Sequence, residues 1–474
     1  MIMKRLPFCF LICVLTLFGC NRNYTIVCKS NNEDWGTVTG GGEYGRGKIA
    51  ILTATPSAGY YFLGWQDGDV SNPRTVTVSG DATYTALFGD TPFGEFDGKP
   101  VHISGKICND QVWPDLGLDI DYIIDGTLTI GCNATVRVMP NVTIMFSGAD
   151  GNIEVVENGA LNMVGTERIP IILRGQDDYT TPGSWGRVVV NTTRNENAFL
   201  YVDFHSGGSS EDLHGGVVNV RGKLSMMCCL IDGSNGSGLV TEEGCTLTTF
   251  AYNTIQNCAG YPWVTSDFPS LYKGDNVGNY LFYQGSMNPS LVYIDLDHFS
   301  INESVILPNI LPVWYYFPHG FYFDGNGSIT LDETQVLVGG GKQLKVGKNL
   351  NFNATGNYLY VAFATLSVDE PWGGMVFESE RTDNNLQWCW FKYCGTNNNG
   401  YCLKVAENAK LSLYNCDFGP CGKYGVWIDN IGTWGNVKHA NINTHDCPKL
   451  AHIEHGGIYN GQTYADNTDL DQLP

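Results

Sequence analysis

Short runs of alternating apolar and polar residues fill most of this chain, and glycine, proline and asparagine separate them. From Gly36 to Phe88, and again from about Val101 onward, almost no stretch keeps the 3.6-residue period of an amphipathic helix. Alternation with a period of two is typical of half-buried strands, and the separating residues mark turns. The pattern therefore predicts an all-β protein.

A repeat becomes visible when the apolar centres of these runs are compared. They recur at steps of 27 and then 24 residues in two places, at Phe204, Ile231 and Ile255 and again at Phe391, Phe418 and Ile442. Each member of the second set lies 187 residues after its counterpart, and the same offset separates Trp185-Gly186 from Trp372-Gly373. This common offset predicts two homologous halves, at about residues 119–262 and 289–450.

A repeat of this length, made of strands and turns, has few structural solutions. One coil cannot bury its apolar face alone, so coils must stack. Leucine-rich repeats have a similar length, but their L-x-x-L-x-L pattern is missing, and propeller blades need about 40 residues. A parallel β-helix remains, in which equivalent residues stack about 4.8 Å apart along the axis.

Two local patterns resemble those of right-handed parallel β-helix proteins found on bacterial surfaces. The segment YIIDGTLTIGCNATVRVMPNVTIMF, from Tyr122 to Phe146, reads strand, turn, strand, proline, strand, and a W-G-x-[IVM] turn occurs at Trp185 and Trp372. The resemblance implies this fold over residues 100–474. It implies no single activity, because the scaffold carries lyases, hydrolases, adhesins and stalks.

Two segments interrupt the repeat. The polar and aromatic stretch from Leu271 to Asn288 is predicted to be a long loop between the halves. The aromatic stretch from Ile310 to Phe323 is interpreted either as a strand pair or as an exposed aromatic plate.

A separate small β unit occupies residues 20–88. It resembles the divergent internalin B-type repeat at Gly36-Thr37-Val38, Leu52-Thr53-Ala54-Thr55-Pro56, Gly59-Tyr60, Phe62, Gly64-Trp65, Asp67-Gly68, Asn72-Pro73, Thr75-Val76-Thr77-Val78 and Ala86-Leu87-Phe88. The resemblance implies a β-grasp-like spacer or adhesion module without chemistry. Trp65 is expected to fill its core rather than to bind a ligand. Residues 89–99, rich in glycine, proline and acids, are predicted to be a linker.

The first 19 residues are predicted to be a signal peptide. Lys4 and Arg5 precede an apolar stretch that is too short for the roughly 20 residues of a membrane span. Leu17-Phe18-Gly19-Cys20 resembles a bacterial lipobox, which implies acylation of Cys20 and an anchor in the outer membrane or at the cell surface. The alternative is ordinary secretion with Cys20 unmodified.

Charge and cysteine content narrow the functional classes. The net charge is −21, which argues against nucleic-acid binding and, unless calcium intervenes, against polyanionic substrates. Of the 16 cysteines, Cys9 and Cys13 leave with the signal peptide and Cys20 would carry lipid. The remainder is odd, so at least one cysteine is a free thiol or pairs between chains.

The motifs CWFKYCG and CDFGPCG begin at Cys389 and Cys416. In each motif the first cysteine and the phenylalanine two residues later share a strand face, which must be the interior. Buried core thiols are the favoured interpretation, followed by disulfides. A metal or redox site comes last, because zinc needs four converging ligands with closer spacing.

Exposed aromatic side chains are the best candidates for ligand binding. Trp388 and Trp390 flank the inward-facing Cys389 and are expected to point outward, where flat rings can stack on sugars. The pattern does not decide whether the Trp427 side chain points inward or outward. Trp185 and Trp372 complete the set of candidate ligand-binding residues. The alternative is that these rings pack under a loop or against the neighbouring half.

Carboxylates are less informative. Asp119 and Asp121 are expected to be solvated residues of the solenoid cap or incidental calcium ligands, and Asp203 and Asp417 are expected to point outward but belong to different halves. No catalytic residue, cofactor or metal is predicted.

The favoured function is a non-catalytic adhesin or glycan-binding protein. Its expected partners are the membrane, through the lipid, and a glycan or other extracellular surface ligand. The alternatives are a polysaccharide lyase or hydrolase and a structural stalk. Acids converging with a basic residue in one groove would favour the enzyme.

Overall fold

The computed structural model describes residues 23–474 except 58–59, 68, 70, 90–97, 177–178, 210–212, 284–289, 308–312, 358 and 396–399. The predicted signal peptide and Cys20 lie outside the described residues. The chain forms two compact units, which divide between residues 97 and 98. Within the described residues, no helix has the length and apolar character that crossing a bilayer requires.

The first unit is a small β module with the strands β1 (Asn23–Ser30), β2 (Gly36–Thr39), β3 (Gly42–Gly45), β4 (Ile49–Pro56), β5 (Tyr61–Trp65), β6 (Arg74–Thr77) and β7 (Ala82–Gly89). One sheet has the order β3-β1-β7-β5, with β1 and β7 parallel, and the other has the order β2-β4-β6. Trp65 is almost fully buried, and its indole N–H donates to the carbonyl of Ser71 at 2.9 Å. It fills the core of the module, as predicted.

The second unit begins with the strands β8 (Val101–Ile107), β9 (Gln111–Trp113), β10 (Tyr122–Ile130), β11 (Thr135–Val138), β12 (Thr143–Phe146), β13 (Asn152–Val155), β14 (Ala160–Val164), β15 (Ile171–Arg174), β16 (Val188–Val190), β17 (Ala198–Leu200), β18 (Val202–His205), β19 (Val218–Val220), β20 (Lys223–Met227), β21 (Leu230–Asp232), β22 (Leu239–Thr241), β23 (Thr246–Ala251), β24 (Thr254–Cys258), β25 (Trp263–Thr265), β26 (Asp275–Val277), β27 (Tyr280–Tyr283) and β28 (Ser290–Ile294). A short 3-10 helix at Phe268–Leu271 follows β25.

It continues with β29 (His298–Ser300), β30 (Ser304–Leu307), β31 (Val313–Phe317), β32 (Phe321–Asp324), β33 (Ser328–Asp332), β34 (Gln335–Val338), β35 (Leu344–Val346), β36 (Asn351–Thr355), β37 (Val361–Ala364), β38 (Met375–Phe377), β39 (Asn385–Gln387), β40 (Cys389–Phe391), β41 (Tyr401–Val405), β42 (Leu411–Tyr414), β43 (Asp417–Phe418), β44 (Tyr424–Asn430), β45 (Val437–Ala440), β46 (Asn443–Thr444), β47 (Lys449–His455), β48 (Gly457–Tyr459), β49 (Gln462–Tyr464) and β50 (Thr468–Leu470). A second 3-10 helix lies at Ile431–Asn436.

Strands of successive coils pair in parallel and form ladders. In the first half these are ladder a (β12, β15, β18, β21, β24, β27), ladder b (β13, β16, β19, β22, β25, β28) and ladder c (β9, β11, β14, β17, β20, β23, β26). In the second half ladder b continues (β31, β34, β37, β40, β43, β46), beside ladder d (β29, β32, β35, β38, β41, β44, β47) and ladder e (β30, β33, β36, β39, β42, β45). The result is a parallel β-solenoid of about 13 turns, which confirms the predicted fold class.

The two halves are joined through one ladder. Among the described strands, β28 connects the halves, because it pairs with β25 of the first half and with β31 of the second. By the 187-residue offset, ladder a corresponds to the second-half part of ladder b. Equivalent faces of the two halves therefore lie on different ladders, offset by one side of the solenoid.

The two segments that seemed to break the repeat are part of the solenoid. The long loop predicted from Leu271 to Asn288 is wrong for its described residues, because β26 and β27 pair with the preceding coil. The described part of the aromatic stretch, residues 313–323, forms β31 and β32, which pair with strands of other coils and not with each other, so this part is neither a strand pair that closes the second half nor an exposed plate. Its aromatic residues Tyr315, Phe317 and Phe321 are buried.

The predicted stack of apolar centres is correct except at its last member. Phe204 pairs with Ile231 and Ile231 with Ile255, and Phe391 pairs with Phe418. In the next coil Thr444 pairs with Phe418, so placing Ile442 there was wrong by two residues. This coil is longer because it includes the 3-10 helix at Ile431–Asn436.

In several coils the turn before ladder a, or before the second-half part of ladder b, contains a residue with positive φ. In the second half Trp388, Asn415 and Asn441 occupy this turn, with φ between 53° and 55°. Asn441 Nδ2 donates to Asn415 Oδ1 at 2.8 Å, so the amides of successive coils stack in hydrogen-bonding contact. Asparagine tolerates this left-handed conformation better than an aromatic residue does.

One of the two acids predicted for the cap, Asp121, is an interior residue. Asp121 is fully buried, and its carboxylate accepts hydrogen bonds from the backbone N–H groups of Leu116 and Thr143, each at 2.8 Å. Burial raises its pKa, so it is not the solvated cap residue that was expected. Asp121 shapes the turn that leads into β10.

The first cysteines of the two motifs are core thiols, as predicted. Cys389 and Cys416 are free and fully buried. Their Sγ atoms lie 3.5 Å from the carbonyl oxygen of Ala354 and 3.3 Å from that of Leu386, respectively. Burial raises the pKa of Cys389 well above its ordinary value, which keeps this thiol protonated.

The second cysteines of the motifs form disulfides instead. The bonds join Cys108 with Cys132, Cys394 with Cys402, and Cys421 with Cys447. The core-thiol interpretation was therefore wrong for Cys394 and Cys421. Both lie beyond the ends of their strands, in the turns, and each is bonded to a cysteine of its own coil or of the next coil.

Candidate functional site

Two of the five candidate tryptophans are interior residues. Trp185 and Trp372 are fully buried. Their indole N–H groups donate to the carbonyls of His205 at 2.7 Å and Lys392 at 2.8 Å, in each case 20 residues further along the chain. The prediction that these two rings bind a ligand is wrong, because neither ring presents a face to solvent. The two tryptophans make equivalent hydrogen bonds, so the duplication of the two halves includes these side-chain contacts.

The Trp388–Trp390 patch, formed by Tyr360, Trp388, Trp390 and Lys392, is the clearest aromatic surface. Trp390 points outward from β40, in line with Ala362 of the coil before it and Asp417 of the coil after it. Trp388 lies in the preceding turn and is 37% exposed. The Tyr360 ring is 5.7 Å from the ring of Trp388 and 5.8 Å from that of Trp390. The outward parity of both tryptophans agrees with the sequence prediction.

Charged groups border this patch. The Lys392 ammonium lies 3.2 Å from the centroid of the Trp390 ring, a cation–π contact. Burial lowers the pKa of Lys392, and the charge of Asp417 opposes that shift. His445 Nδ1 lies 3.2 Å from Asp417 Oδ1. Within the described chain, the buried indole N–H of Trp390 has no hydrogen-bond acceptor, so the patch retains an unused donor.

The remaining candidate, Trp427, points outward, but neighbouring side chains enclose it. It lies on ladder d between Lys404 of the previous coil and His452 of the next. Its ring centroid is 4.1 Å from that of His452, 5.8 Å from that of Tyr401 and 5.6 Å from the Lys404 Nζ. Its indole N–H donates to Glu454 Oε2 at 2.8 Å. Because neighbouring coils cover its faces, Trp427 is not a free stacking platform.

The charges around Trp427 neutralise one another. Lys404 Nζ lies 3.2 Å from Asp429 Oδ1 and 3.1 Å from Glu454 Oε2. A hydrogen bond with the Asp429 side chain, together with those from Trp427 and Lys404, lowers the pKa of Glu454 to about 2. Asp429, Glu454 and His455 have ligand atoms within 4.8 Å of one another. The Lys404 ammonium already occupies the position that a cation would take beside the two carboxylates.

Replacing Glu454 with glutamine is expected to destabilise the protein by about 1 kcal/mol at pH 7, since the partly exposed network is screened by solvent. The pKa of Glu454 is depressed in the folded state, from 4.5 to about 2. Its stabilisation is therefore fully present above about pH 4.5 and is lost as the pH falls toward 2. Urea denaturation of the wild-type protein and the Glu454→Gln variant between pH 7 and pH 3 measures the difference in their free energies of unfolding, which should narrow as the pH falls. A Glu380→Gln variant, which removes an exposed ion pair with Lys348, is the control, and a pH-independent difference for Glu454→Gln would contradict the assignment.

The ladder-a cluster, formed by Arg174, Tyr179, Asp203, His205 and Asp232, was only partly recognised in the sequence. Asp203 and His205 point outward from β18, and β18 pairs with both β15 and β21. The Tyr179 ring meets the His205 ring edge-on at 4.5 Å, and its centroid lies 5.6 Å from the Arg174 guanidinium. The alternation in VDFH placed Asp203 outward. Its neighbours were missed because finding them requires the register between coils.

Comparison with known proteins identifies one segment of the chain. Residues 26–92 match the divergent InlB B-repeat domain family. No curated protein and no solved structure gave a significant match to this chain. The protein therefore carries a module similar to the divergent InlB B-repeat domain, followed by a parallel β-solenoid.

Proposed function

We propose that this protein is a lipid-anchored cell-envelope adhesin that binds glycans through the Trp388–Trp390 patch. The supporting observation is the surface exposure of apolar and aromatic side chains in one short region. Leu359, Tyr360 and Trp388 are 44%, 38% and 37% exposed, respectively. Contiguous exposed apolar surface marks interaction sites on soluble domains.

The chemistry of the patch suits a sugar. Aromatic rings offer flat apolar faces at low conformational cost, and they usually work beside a few polar groups that fix orientation. Here Lys392, which covers one face of the Trp390 ring, and His445 are donors, and Asp417 is an acceptor. The rings of Trp388 and Tyr360 are the exposed faces that a sugar can reach. Among the described residues, Asp417 of this patch forms one ion pair, with His445, whereas the carboxylates of the Trp427 region share Lys404.

Replacing Trp388 with asparagine is expected to weaken glycan binding by at least about tenfold. It should leave stability unchanged or slightly higher, because Trp388 has φ 54° and asparagines fill the same turn in the next two coils. The full chain is applied to a glycan array, affinities for the hits are measured by calorimetry, and thermal unfolding is recorded in parallel.

Tyr252→Asn is the matched control for this experiment. Tyr252 is 59% exposed and has φ 57°, but it lies in the first half of the solenoid. The same substitution there is expected to leave binding unchanged. Array hits that survive both Trp388→Asn and Trp390→Ala would rule out the patch as the binding site.

The anchor is proposed from the lipobox-like segment that ends at Cys20. Several acyl chains, at about 0.8 kcal/mol per buried methylene, hold a protein on a membrane without a transmembrane helix. A Cys20→Ser variant of the full chain is expected to lose labelling by radioactive palmitate and to leave the membrane fraction. Persistence of both signals would disprove the anchor, and protease treatment of intact cells tests whether the protein faces outward.

A further inference from the structure

Four cysteines meet at one corner of the second half of the solenoid. Cys394, Cys421 and Cys447 follow the ladder-b strands of three successive coils, and Cys402 lies near the start of β41 on ladder d. The Sγ atoms of Cys402, Cys421 and Cys447 all lie within 4.8 Å of one another, and Cys394 is bonded to Cys402. The two disulfides at this corner therefore bring four sulfur atoms together, which we call the four-cysteine cluster.

The backbone holds these residues together independently of the sulfur–sulfur bonds. Cys394 pairs in parallel with Cys421 of the next coil, and the N–H of Gly422 donates to the carbonyl of Cys394 at 2.8 Å. The N–H of Cys421 donates to the carbonyl of Asp446 in the following coil at 3.2 Å. The strand that carries Cys402 pairs with β44. Because these contacts belong to the stacking of the coils, the four side chains stay close when the disulfides are opened.

Four thiolates in this arrangement match the coordination that zinc prefers. Structural zinc sites are tetrahedral, and Cys₄ is a common ligand set. A Zn–S distance of about 2.3 Å places the sulfur atoms of such a site about 3.8 Å from one another. The separations within the cluster, up to 4.8 Å, reach this value through small side-chain rotations. The close sequence spacing of a zinc finger is not required, because the ligands converge from successive coils.

The cluster is enclosed on one side and accessible on the other. Cys394 and Cys402 are 1% and 0% exposed, respectively, whereas Cys421 and Cys447 are half-buried. A reductant and a metal ion can therefore reach the Cys421–Cys447 bond first. The two interior sulfur atoms are shielded from solvent, as in a closed structural metal site.

Other parts of the solenoid do not offer the same ligands. Among the described residues, the Cys108–Cys132 bond does not belong to a group of three or more converging ligands. By the 187-residue offset, the first half has residues without sulfur at the positions of Cys394, Cys402 and Cys421. These are Gly207, Gly215 and Ser234. The Cys108–Cys132 bond therefore serves as an internal control for effects of a disulfide alone.

We propose that the four-cysteine cluster, when reduced, binds one zinc ion through Cys394, Cys402, Cys421 and Cys447. A single ion then links the three coils that the two disulfides link in the oxidised protein. This inference goes beyond the proposed glycan binding and does not depend on it.

The exchange between the two states balances. Two molecules of a dithiol reductant supply four electrons and four protons, open both disulfides and become disulfides themselves. The four thiols release four protons as they coordinate Zn²⁺, which leaves a site with a net charge of −2. Two molecules of a disulfide oxidant, with four protons, reverse both steps and release the ion.

Metal titration of the full chain tests the proposal. The protein is reduced with a dithiol, freed of it under nitrogen and titrated with zinc against a chromogenic chelator. About one tightly bound zinc ion per chain is expected, and cobalt(II) should give the visible absorption of a tetrahedral thiolate site. Cys421→Ser is expected to weaken zinc binding by at least about a hundredfold, since even the loss of an outer-shell partner costs about 10–100-fold. Cys108→Ser, which also removes one disulfide, should keep full affinity.

Cys447→His distinguishes a metal ligand from a disulfide partner. Histidine coordinates zinc but cannot form a sulfur–sulfur bond, and the half-buried position has room for the ring. This variant is expected to keep one zinc ion with altered cobalt absorption, whereas Cys447→Ser should lose it.

Three results would overturn the proposal: no zinc bound by the reduced chain, equal affinity in Cys421→Ser and the wild-type protein, or equal loss in Cys447→His and Cys447→Ser. Circular dichroism shows whether each reduced protein keeps its β-structure. A reduced wild-type chain that unfolds and does not refold with zinc would also refute the site. Because glycan binding is not measured, none of these outcomes bears on the Trp388–Trp390 patch.

Discussion

Replacing Trp185 with alanine is expected to lower the free energy of unfolding by about 4 kcal/mol. The ring is fully buried and stacks on Phe146, with the centroids 4.3 Å apart. It also lies close over Gly207, where a Cβ would be 2.7 Å from the ring. Truncation leaves a cavity between two coils and removes the donor that satisfies the carbonyl of His205. Urea denaturation followed by circular dichroism measures the loss.

Two further variants test whether the loss of stability depends on burial of the tryptophan ring. Trp372→Ala should cost a similar amount, because Trp372 is equally buried and donates to the equivalent carbonyl of the second half. Trp388→Ala removes a partly exposed ring and should cost less than about 1 kcal/mol. If Trp185→Ala and Trp388→Ala destabilised the protein equally, the interior role of Trp185 would be wrong.

The parts of this fold that depend on local periodicity could be predicted from the sequence. Alternation assigned the strands, and the common offset of Trp185 and Trp372 revealed the duplication. Both signals arise because a parallel solenoid repeats one cross-section and buries alternate side chains. The same logic placed Cys389 in the interior and Trp390 outside, as observed.

Features that depend on coil length could not be predicted in this way. Ile442 was misplaced because a 3-10 helix lengthens its coil. Cys394 and Cys421 lie in turns, where alternation with a period of two does not fix side-chain direction, so their disulfides were not predicted. The two halves are offset by one ladder because of how the chain passes through the junction at β28. The periodic pattern of the sequence does not predict this offset.

The candidate sites show the same limit. Alternation along a strand identified Asp203 as outward but could not place Asp232 beside His205, because that pairing depends on the register of separate coils. It also could not show that Lys404 and His452 cover the faces of Trp427. In a solenoid, outward side chains of successive coils stack on one another, so outward direction alone does not make a ring available to a ligand.

A buried asparagine connects consecutive coils of the second half. Asn384 is almost fully buried. Its Oδ1 accepts a hydrogen bond from the backbone N–H of Phe352 in the preceding coil at 2.8 Å. Its Nδ2 donates to the carbonyl of Arg381 at 2.7 Å and to that of Lys410, in the following coil, at 2.9 Å. In the first half, Asn197 Oδ1 likewise accepts from the backbone N–H of Leu161 at 3.0 Å.

Replacing Asn384 with alanine is expected to destabilise the protein by about 3 kcal/mol. The substitution leaves a buried N–H and two carbonyls without their partner, and each such group costs about 1–3 kcal/mol unless the coils relax to admit water. Urea denaturation measures the change, and Asn197→Ala should lose stability for the same reason. Asn385→Ala is the matched control, since this neighbouring side chain is only partly buried and donates a long hydrogen bond, of 3.4 Å, to Gln387 Oε1. The substitution should cost less than about 1 kcal/mol. Equal losses for Asn384→Ala and Asn385→Ala would show that the buried amide does not connect the coils energetically.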